Sequence, residues 1–530
     1  MMLERVVGRM FRSAMRPPQQ PSTVVVNQDE NCTQDKSCQS TGVVEIDNSQ
    51  HVLVKIATLY AERLMNDICL VVGGVEYPSH RLILCASSEV FQVMLMNPQW
   101  SESHKSRVVL QETPACAAIF GEFIKYFYTG QIKINHTTIT PVLALADKYN
   151  VKDLTKLCID YMCSHIALAA ANNQLITWYQ YTLSLGHHKV ALACQNFLKW
   201  NFELVANTTD FCNCNHEILS KLLQMNDLVV VNEMTLYNHV VRWLEAQRVL
   251  LTSECDTTES VETYMSVLVQ DVMSHIRFPM MSPRQLAELL LSPLTTKYKE
   301  FFIERMAIGM SFHSDQRERL NEICNQDENG RLLFTPRLYT SDTYSSTLCI
   351  EHFSHFPSYN TRTLVFSSHT GLAEHAGDKT CEWVIDMFPK GVWFQRFYLI
   401  VWQGTIDVPE KVLRSVRLSI TAKDVSEDYL KVKVGLLMVG TCDGIEHICS
   451  VIVKNHHFNC NERVLNLDDV IPFDDLNVNL LEGGDCQHSR PSSYLVGQNR
   501  DTLKVHITIV PLSDVSSLDP EIDTLIIPSR

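Results

Sequence analysis

The chain has 530 residues, enough for roughly three or four domains, because single hydrophobic cores usually stop growing well before this length. Hydrophobic residues make up 45% and charged residues 20%, an ordinary globular composition that excludes a mostly disordered, collagen-like or coiled-coil chain. The formal net charge of -15 disfavours nucleic acid as the main partner, since binding the phosphate backbone needs clustered Lys and Arg.

Cysteine usage and hydropathy indicate the compartment. The eighteen cysteines are scattered singly, as at Cys116 and Cys194, and do not form a closely spaced disulfide framework. Buried thiols suit a reducing cytosol, so we expect a cytoplasmic protein. The sequence has no run of about eighteen apolar residues, so we expect no membrane partner. Sequons at Asn31, Asn135 and Asn207 support secretion only weakly, because so short a pattern recurs by chance.

Residues 1–50 are predicted to be a disordered tail. They include a Pro- and Gln-containing stretch and a long polar stretch with no hydrophobic period. The beginning, with four arginines against one glutamate, is also compatible with a mitochondrial transit segment, although its amphipathic signal is short. We favour the disordered tail, with order beginning near Val52.

Residues 51–165 have the pattern of an α+β domain. Asp67-Ile-Cys-Leu-Val-Val, Gly73-Gly74 and Val75-Glu-Tyr predict two strands joined by a tight turn. Thr113-Pro114 is a helix start, and apolar residues follow it at three- and four-residue steps. Thr140-Pro141 repeats this start, so a hairpin followed by neighbouring helices is expected.

The motifs of this block resemble the BTB/POZ domain, and those of the next block resemble the BACK domain of kelch-like adaptors. The BTB-like motifs are Asp67-Ile-Cys-Leu-Val-Val, Tyr77-Pro-Ser-His-Arg81, Tyr126-Phe-Tyr-Thr-Gly130 and Ala144-Leu-Ala-Asp-Lys-Tyr149. The BACK-like motifs, within residues 166–312, are Cys194-Gln-Asn-Phe197, Asp227-Leu228, Asn232-Glu233 and Arg277-Phe-Pro-Met-Met-Ser-Pro283. The resemblance implies an all-α BACK domain after the BTB/POZ domain.

The remaining chain changes to a strand period. The polar stretch at residues 313–332 predicts a linker, and apolar and polar residues alternate after it, as at 416–421 and 503–509. The absence of a repeat of about fifty residues argues against a β-propeller. Residues 333–515 are therefore predicted to form an all-β sandwich that resembles MATH (TRAF-like) domains, with a C-terminal tail at 516–530.

The sequence provides little for catalysis. Cys212, Cys214 and His216 form the densest group of metal-type ligands, but their one-residue gaps are shorter than the usual zinc spacing. A cysteine-bearing loop is therefore favoured over a zinc site. A Gly-rich phosphate loop, a G-x-S-x-G elbow and an H-E-x-x-H motif are all missing from the sequence. We predict a non-catalytic protein with no metal and no cofactor.

The resemblance to BTB adaptors implies a contact with cullin-3. Trp100-Ser-Glu102 matches the apolar-x-Glu signature of the cullin-contacting loop, and Met94 and Met96 precede it. An aromatic side chain beside a carboxylate is typical of an interface hot spot. The alternative is that Trp100 folds back on its own domain, and Asn97-Pro98, unlike many family members, leaves the loop path open.

The same resemblance implies a homodimer. Asp67 and Arg81 match a charged pair that lines a pocket at the dimer axis of the family. In such an apolar setting the carboxylate and the guanidinium must compensate each other. The alternative is a surface Asp67 that caps a strand and an exposed Arg81.

These expectations combine into a dimeric adaptor that brings a client, held by the C-terminal β domain, to a cullin-3 RING ubiquitin ligase. Proximity would then convert a bimolecular encounter into an effectively intramolecular one. Two alternatives stay open: a secreted scaffold glycoprotein of the galectin-3-binding kind, and a non-degradative scaffold with no cullin contact. The client protein is not identified by the sequence.

Overall fold

The computed structural model describes residues 47–254, 258–326, 328–374, 379–392, 414–423, 425, 430–477 and 492–513. The tails predicted at 1–50 and 516–530 lie almost wholly outside these ranges, and so does the sequon at Asn31. The described residues from Val54 onward belong to one compact unit.

The first part of the chain combines a small sheet with helices. Strand β1 pairs antiparallel with β2 and parallel with β3, and positive φ angles at Gly73 and Gly74 allow the tight β1–β2 turn. The strands are β1 (Ile68–Val72), β2 (Val75–Ser79) and β3 (Arg107–Leu110). The helices are α1 (Ser49–Ala61), α2 (Arg81–Ser87), α3 (Glu89–Met96), α4 (Pro114–Thr129), α5 (Ile139–Lys148) and α6 (Lys152–Ser164).

Helix α4 shows why these residues form these elements. The Thr113 hydroxyl accepts a hydrogen bond from the N–H of Cys116, and Pro114 occupies the first turn. Gly130 ends the helix in the left-handed conformation, with φ of 65°. The apolar face of α4, including Phe120, is buried in the domain core. The predicted start and end of this helix are confirmed.

The second part is helical. Its elements are α7 (Ile166–Ala171), α8 (Leu175–Ser184), α9 (His188–Trp200), α10 (Phe202–Ala206), α11 (His216–Gln224), α12 (Glu233–Glu254), α13 (Thr258–Met273), α14 (Pro283–Leu289), α15 (Pro293–Lys297), α16 (Lys299–His313), α17 (Arg317–Gln326) and α18 (Glu328–Leu332). Large side chains such as Trp178 and Trp243 are fully buried, and they join the helices to the core of the first part.

The stretch 313–332, predicted to be a linker, is largely helical. It contains α17 and α18, and Leu320 and Cys324 are buried in a separate apolar cluster with Phe312 and Phe334. A few apolar residues are enough to stabilise these helices, because neighbouring elements supply the rest of the apolar cluster. The polar composition reflects the solvent-facing side of a packed helix.

The third part is a two-layer β-sandwich, which confirms the predicted fold class. One sheet has the order β11-β10-β14-β13 with β6 also paired to β14, and the other has the order β12-β9-β8-β7. The strands are β6 (Ser345–Ile350), β7 (Arg362–His369), β8 (Thr380–Phe388), β9 (Arg417–Ala422), β10 (Leu430–Cys442), β11 (Ile445–Phe458), β12 (Val464–Leu467), β13 (Leu495–Val496) and β14 (Thr502–Pro511). A short helix α19 (Phe473–Leu476) follows β12. Inward residues such as Trp383, Leu436 and Ile507 form its core.

A short parallel bridge connects the helical part to the sandwich. Strand β4 (Val229–Val230), just before α12, pairs with β5 (Leu338–Tyr339), just after α18. The sandwich is therefore hydrogen-bonded to the helical part at the point where its own chain begins.

Candidate interaction surfaces

Helix α3 presents an apolar stripe to solvent. The Ser88 hydroxyl caps the helix by accepting a hydrogen bond from the N–H of Phe91, and Phe91 and Leu95 are buried. At helical spacing, this orientation turns Val93 and Met96 outward, and Met96 is 57% exposed. The predicted contact residue Met94 is only half-buried and packs partly against the domain core.

The turn after α3 holds Trp100 outward. The Trp100 N–H donates to the Asn97 carbonyl at 3.1 Å, and the Ser103 hydroxyl donates to the Trp100 carbonyl at 2.7 Å. A short 3-10 helix, Ser101–His104, follows. Trp100 is 49% exposed, so the structure does not fold it back into its own domain.

Glu102 lies beside this apolar stripe as a carboxylate. A hydrogen bond from Ser101, with a smaller contribution from Lys105, holds the pKa of Glu102 below its ordinary value. The Lys105 ammonium lies 3.5 Å from the carboxylate. We refer to Val93, Met96, Trp100 and Glu102 as the contact strip. The sequence analysis missed Val93, although its position three residues before Met96 was a usable signal.

Arg81 anchors the turn that carries the contact strip. Its guanidinium donates to three carbonyl oxygens, at 3.3 Å from Leu95, 3.0 Å from Ser103 and 2.5 Å from Lys105. These three acceptors lie at both ends of the turn. Arg81 therefore fixes the turn from inside the same domain.

The charge compensation of Asp67 and Arg81 at a dimer axis stays a prediction, and within this chain the two side chains have other hydrogen-bond partners. The Asp67 carboxylate accepts a hydrogen bond from the backbone N–H of Arg81 at 2.8 Å, and no ion pair joins the two side chains in the described part of the chain. Carbonyl oxygens within reach satisfy the guanidinium instead. Asp67 is exposed, and a role for either residue in a dimer interface stays a prediction.

A second apolar surface lies near Asp67. Val54 on α1, Met65 after it and Leu82 on α2 are exposed. The His80 ring is 2.7 Å from the Leu64 carbonyl, so the segment after α1 lies against the start of α2. An apolar surface of this kind is suited to burial in an interface between copies.

A buried ionic cluster joins the helical part to the sandwich. Glu233, at the start of α12, lies 2.7 Å from the Arg337 guanidinium, and both side chains are fully buried. The Tyr339 hydroxyl donates to the same carboxylate at 2.9 Å. The Arg277 backbone N–H donates to its other oxygen at 3.3 Å. The helical part and the beginning of the sandwich thus each supply hydrogen-bond partners for buried polar groups of the other.

Lys433 of β10 completes what we call the interdomain cluster: Glu233, Arg277, Arg337, Tyr339 and Lys433. The Lys433 ammonium donates to the carbonyls of Asn226 at 2.7 Å and Pro336 at 3.0 Å. Burial lowers the pKa of Lys433 to about 7, because the charged form loses its hydration. From the sequence, Glu233 and Arg277 were identified only as members of BACK-like motifs. Arg337 and Lys433 were not identified at all.

Polar and apolar contacts extend this joint along β11. Asn201 accepts from the N–H of Ile448 at 2.7 Å and donates to the Ile448 carbonyl at 2.9 Å, which imitates a neighbouring strand. Next to it, Trp200, Leu437 and Val451 pack in one apolar cluster. The sandwich is therefore firmly attached to the helical part through one outer face.

The remaining sequence candidates have local structural roles. Cys212 and Cys214 lie in or beside a 3-10 turn before His216, and burial raises the pKa of Cys214 to about 12. Within the described ranges, no group of three His, Cys, Asp or Glu side chains comes together as in a metal site. Of the two described sequons, Asn135 is exposed, whereas the Asn207 amide donates to the Glu203 carbonyl at 2.8 Å.

A search for membrane-spanning segments among the described residues finds no helix with the length and apolar character to cross a bilayer.

Family models match three successive regions of the chain. A BTB/POZ domain model matches residues 57–166, a BACK model (BTB And C-terminal Kelch) matches 175–291, and a model described as the BTBD17 TRAF domain matches 334–513. The three regions agree with the resemblances drawn from the sequence motifs.

Curated relatives extend over most of the chain. BTB/POZ domain-containing protein 17 of Xenopus tropicalis is 27% identical over 438 residues, which is 82% of this chain and 83% of the relative. The human protein of that name is 28% identical over 352 residues, 65% of this chain and 67% of the relative. Galectin-3-binding protein of Mus musculus is 24% identical over 314 residues, 58% of this chain and 50% of the relative.

Proposed function

We propose that this chain, whose successive regions match BTB/POZ, BACK and TRAF domain models, is a dimeric substrate-recruiting adaptor of a cullin-3 RING ubiquitin ligase. BTB and BACK domains mediate protein interactions, and such proteins are typically not enzymes. In the proposed mechanism the BTB domain contacts cullin-3 and a second copy of the chain. The TRAF-like domain holds the client, and proximity accelerates ubiquitin transfer.

The contact strip is the observation that carries this proposal. An aliphatic stripe of Val93 and Met96 continues into the exposed ring of Trp100, with the ionised Glu102 at its edge. Arg81 holds the turn through three carbonyl bonds, so little ordering is needed when a partner binds. An anchored aromatic residue with a polar rim is the usual composition of a hot spot.

Three further observations support the rest of the proposal. The exposed apolar side chains of Val54, Met65 and Leu82 favour self-association of the BTB domain. The buried thiols of Cys158 and Cys194 suit a reducing compartment, so the proposed site of action is the cytoplasm. The joint between BACK and TRAF-like domains would hold the client at a fixed distance from the cullin.

The double variant Trp100→Ala with Glu102→Ala tests the cullin contact. We expect it to weaken binding of the purified cullin-3 N-terminal domain by about thirtyfold or more, since truncating a hot-spot aromatic commonly costs about 2 kcal/mol. Titration calorimetry of wild-type and variant full-length protein measures the difference. Sedimentation of both proteins should give the same oligomeric state.

A matched control is available on helix α13. Tyr264 and Glu259 are also an exposed aromatic and an exposed carboxylate, but they lie in the BACK domain. Tyr264→Ala with Glu259→Ala should bind cullin-3 as the wild type does. Wild-type protein that does not bind cullin-3 would contradict the proposal and leave the scaffold alternatives.

The galectin-3-binding relatives keep a secreted scaffold glycoprotein as the second candidate. Asn135 and Asn207 are both exposed, but the Asn207 side-chain NH2 donates to a backbone carbonyl, whereas Asn135 is engaged through its side-chain oxygen, so we choose Asn135 for the test. Endoglycosidase treatment of the protein from eukaryotic cells decides between the two. A mobility shift that Asn135→Gln abolishes would favour the secreted scaffold.

A further inference from the structure

The two outer faces of the β-sandwich are not equivalent. The face of the sheet containing β10 is occupied by the BACK domain, since Leu437 packs against Trp200 and Lys433 inserts into the interdomain cluster. Leu338 of β5, the strand that pairs with β4 of the helical part, also covers this face, and a Cβ atom at Gly435 would lie 2.8 Å from one of its methyl groups. This face therefore has no room for a client.

The outer face of the other sheet carries an aliphatic row. Strand register places Val365 of β7 beside Val384 of β8, Val384 beside Thr421 of β9, and Thr421 beside Val464 of β12. Val365 is 51% exposed and Val464 is 48% exposed in the described part of the chain. Their inward neighbours fill the sandwich core, so these four side chains form a continuous strip across the whole sheet.

A polar row runs parallel to this strip, two residues along each strand. It consists of Thr363, Asp386, Ser419 and Asn466 in the same strand order. The Asp386 carboxylate accepts a hydrogen bond from the Thr363 hydroxyl at 2.5 Å, and no cationic side chain pairs with it among the described residues. The carboxylate is half-buried in the middle of the sheet, where it would attract a cation.

The other charged residues of this face are already neutralised. Glu382 pairs with Lys423 on one side of the aliphatic strip, and Asp468 pairs with Arg417 on the other. Among the described residues of this face, Asp386 is therefore the charge that a partner can compensate. The net charge of -15 adds a long-range attraction for basic partners.

We propose that this outer face, formed by the aliphatic strip and the adjacent row around Asp386, is the client-docking surface, and that its occupant is an extended basic-apolar segment of a client protein. This inference rests on the proposed adaptor function and identifies the surface that would select the client. Four strands spaced about 4.8 Å apart make the strip about 14 Å long, which an extended segment of about five residues covers. Aliphatic side chains at the first and fifth positions would lie on Val365 and Val464, and a Lys or Arg at the third position, on the same face of the segment, would reach Asp386.

Binding of defined peptides to the full-length protein tests the surface. The probes are two labelled peptides, acetyl-Leu-Gly-Lys-Gly-Leu and its counterpart with Glu in place of Lys, measured by fluorescence anisotropy. We expect the wild type to prefer the lysine peptide. Val365→Asp with Val464→Asp should weaken its binding by about tenfold or more, since two anchors become charged. Asp386→Lys should reverse the preference between the two peptides.

Exposed valines elsewhere provide the control. Val249→Asp with Val267→Asp introduces the same charges on the BACK helices and should leave peptide binding unchanged. Equal binding of both peptides, or binding that the Val365 and Val464 changes leave unaltered, would overturn the inference. A change of oligomeric state in the Val365→Asp, Val464→Asp protein would overturn it in favour of a second copy of this chain as the occupant.

Thiol labelling tests whether another part of the chain covers the surface. Cys introduced at Val365 or Val464 should react with a maleimide as fast as Cys introduced at Val267, as quantified by peptide mass spectrometry. Protection at both sheet positions would overturn the inference. Cullin-3 titration of the same protein is the independent readout: its failure alone contradicts the adaptor function, whereas failure of peptide recognition alone contradicts only this surface.

Discussion

The contact strip and the interdomain cluster use similar residue types in opposite settings. The strip holds Glu102 beside Lys105 at the surface, where both charged groups keep contact with water. The cluster removes Glu233 and Arg337 completely from solvent, so every lost water contact must be replaced by a protein group. An exposed charge can thus be tuned for a partner at little cost in stability, whereas a buried charge restricts how two domains are joined.

The comparison also separates two uses of arginine. The Arg81 guanidinium donates hydrogen bonds to three carbonyl oxygens and stabilises a surface turn. These bonds involve no carboxylate. Arg337 pairs with Glu233 and also donates to the carbonyls of Met225 and His275, both at 2.9 Å. The planar fork of five donors makes both roles possible, and lysine could fill neither of them equally well.

The largest effect is expected from Glu233→Gln. Without this carboxylate, Arg337 and Arg277 stay buried with no counter-charge, so the free energy of unfolding should fall by about 3–5 kcal/mol. Denaturant titration of the full-length protein measures this change. Glu288→Gln is the control, because its pair with Arg284 is solvent-exposed and should contribute less than about 0.5 kcal/mol. Equal losses of unfolding free energy in Glu233→Gln and Glu288→Gln would contradict the prediction that the buried carboxylate contributes more to stability than the exposed one.

A smaller effect is expected from Arg81→Met. The turn would lose its three carbonyl bonds, and the contact strip would need to be ordered when cullin-3 binds. We expect the dissociation constant for cullin-3 to rise about tenfold, which is a loss of about 1.4 kcal/mol in binding free energy. The same calorimetric titration measures this change. Arg107→Met is the control, since Arg107 makes only an exposed pair with Glu76 in the described part of the chain. Unchanged affinity in Arg81→Met would exclude the anchoring role.

The interdomain cluster should also respond to pH through Lys433. Its folded pKa of about 7 lies below the unfolded value of about 10.4. Between these values the unfolded chain binds more protons than the folded chain, so this group makes stability rise with pH. The unfolding free energy of the wild type relative to Lys433→Met should therefore increase by about 1 kcal/mol or more from pH 7 to pH 10.

Denaturant titration of both proteins across this pH range measures the difference, and other titrating groups cancel in the comparison. Lys504→Met on β14 serves as the control substitution, because Lys504 is only half-buried and its removal leaves the interdomain cluster intact. A wild-type profile parallel to that of Lys433→Met would mean that Lys433 keeps its ordinary titration in the fold.

The smallest effect is expected from Asp67→Asn. The amide oxygen can still accept the hydrogen bond from the backbone N–H of Arg81, and the Arg81 guanidinium does not depend on this carboxylate. The unfolding free energy should therefore change by less than about 0.5 kcal/mol. If denaturant titration shows that the unfolding free energy falls by several kcal/mol, the charge compensation between Asp67 and Arg81 is supported. Asp67 would then stabilise the fold as a counter-charge, as Glu233 does.

Local sequence patterns were sufficient for most of the fold. Thr113-Pro114 and Gly130 define the ends of α4, and the alternating residues of 416–421 lie in and beside β9. Such patterns predict structure from the sequence alone, because capping, helical period and strand alternation depend on residues only a few positions apart. The helices within 313–332 were not predicted from its polar composition, since the packing partners of Leu320 come from other elements.

The candidate surfaces divide in the same way. Met96, Trp100 and Glu102 could be selected from the sequence, because an exposed turn keeps its composition whatever surrounds it. The tertiary structure alone decided that Arg81 binds carbonyls, and that, among the described residues, one sandwich face packs on the BACK domain while Val365 and Val464 of the other are exposed. Glu233 and Arg337 are 104 positions apart. Their pairing depends on how two domain surfaces meet, and no local period or spacing carries that information.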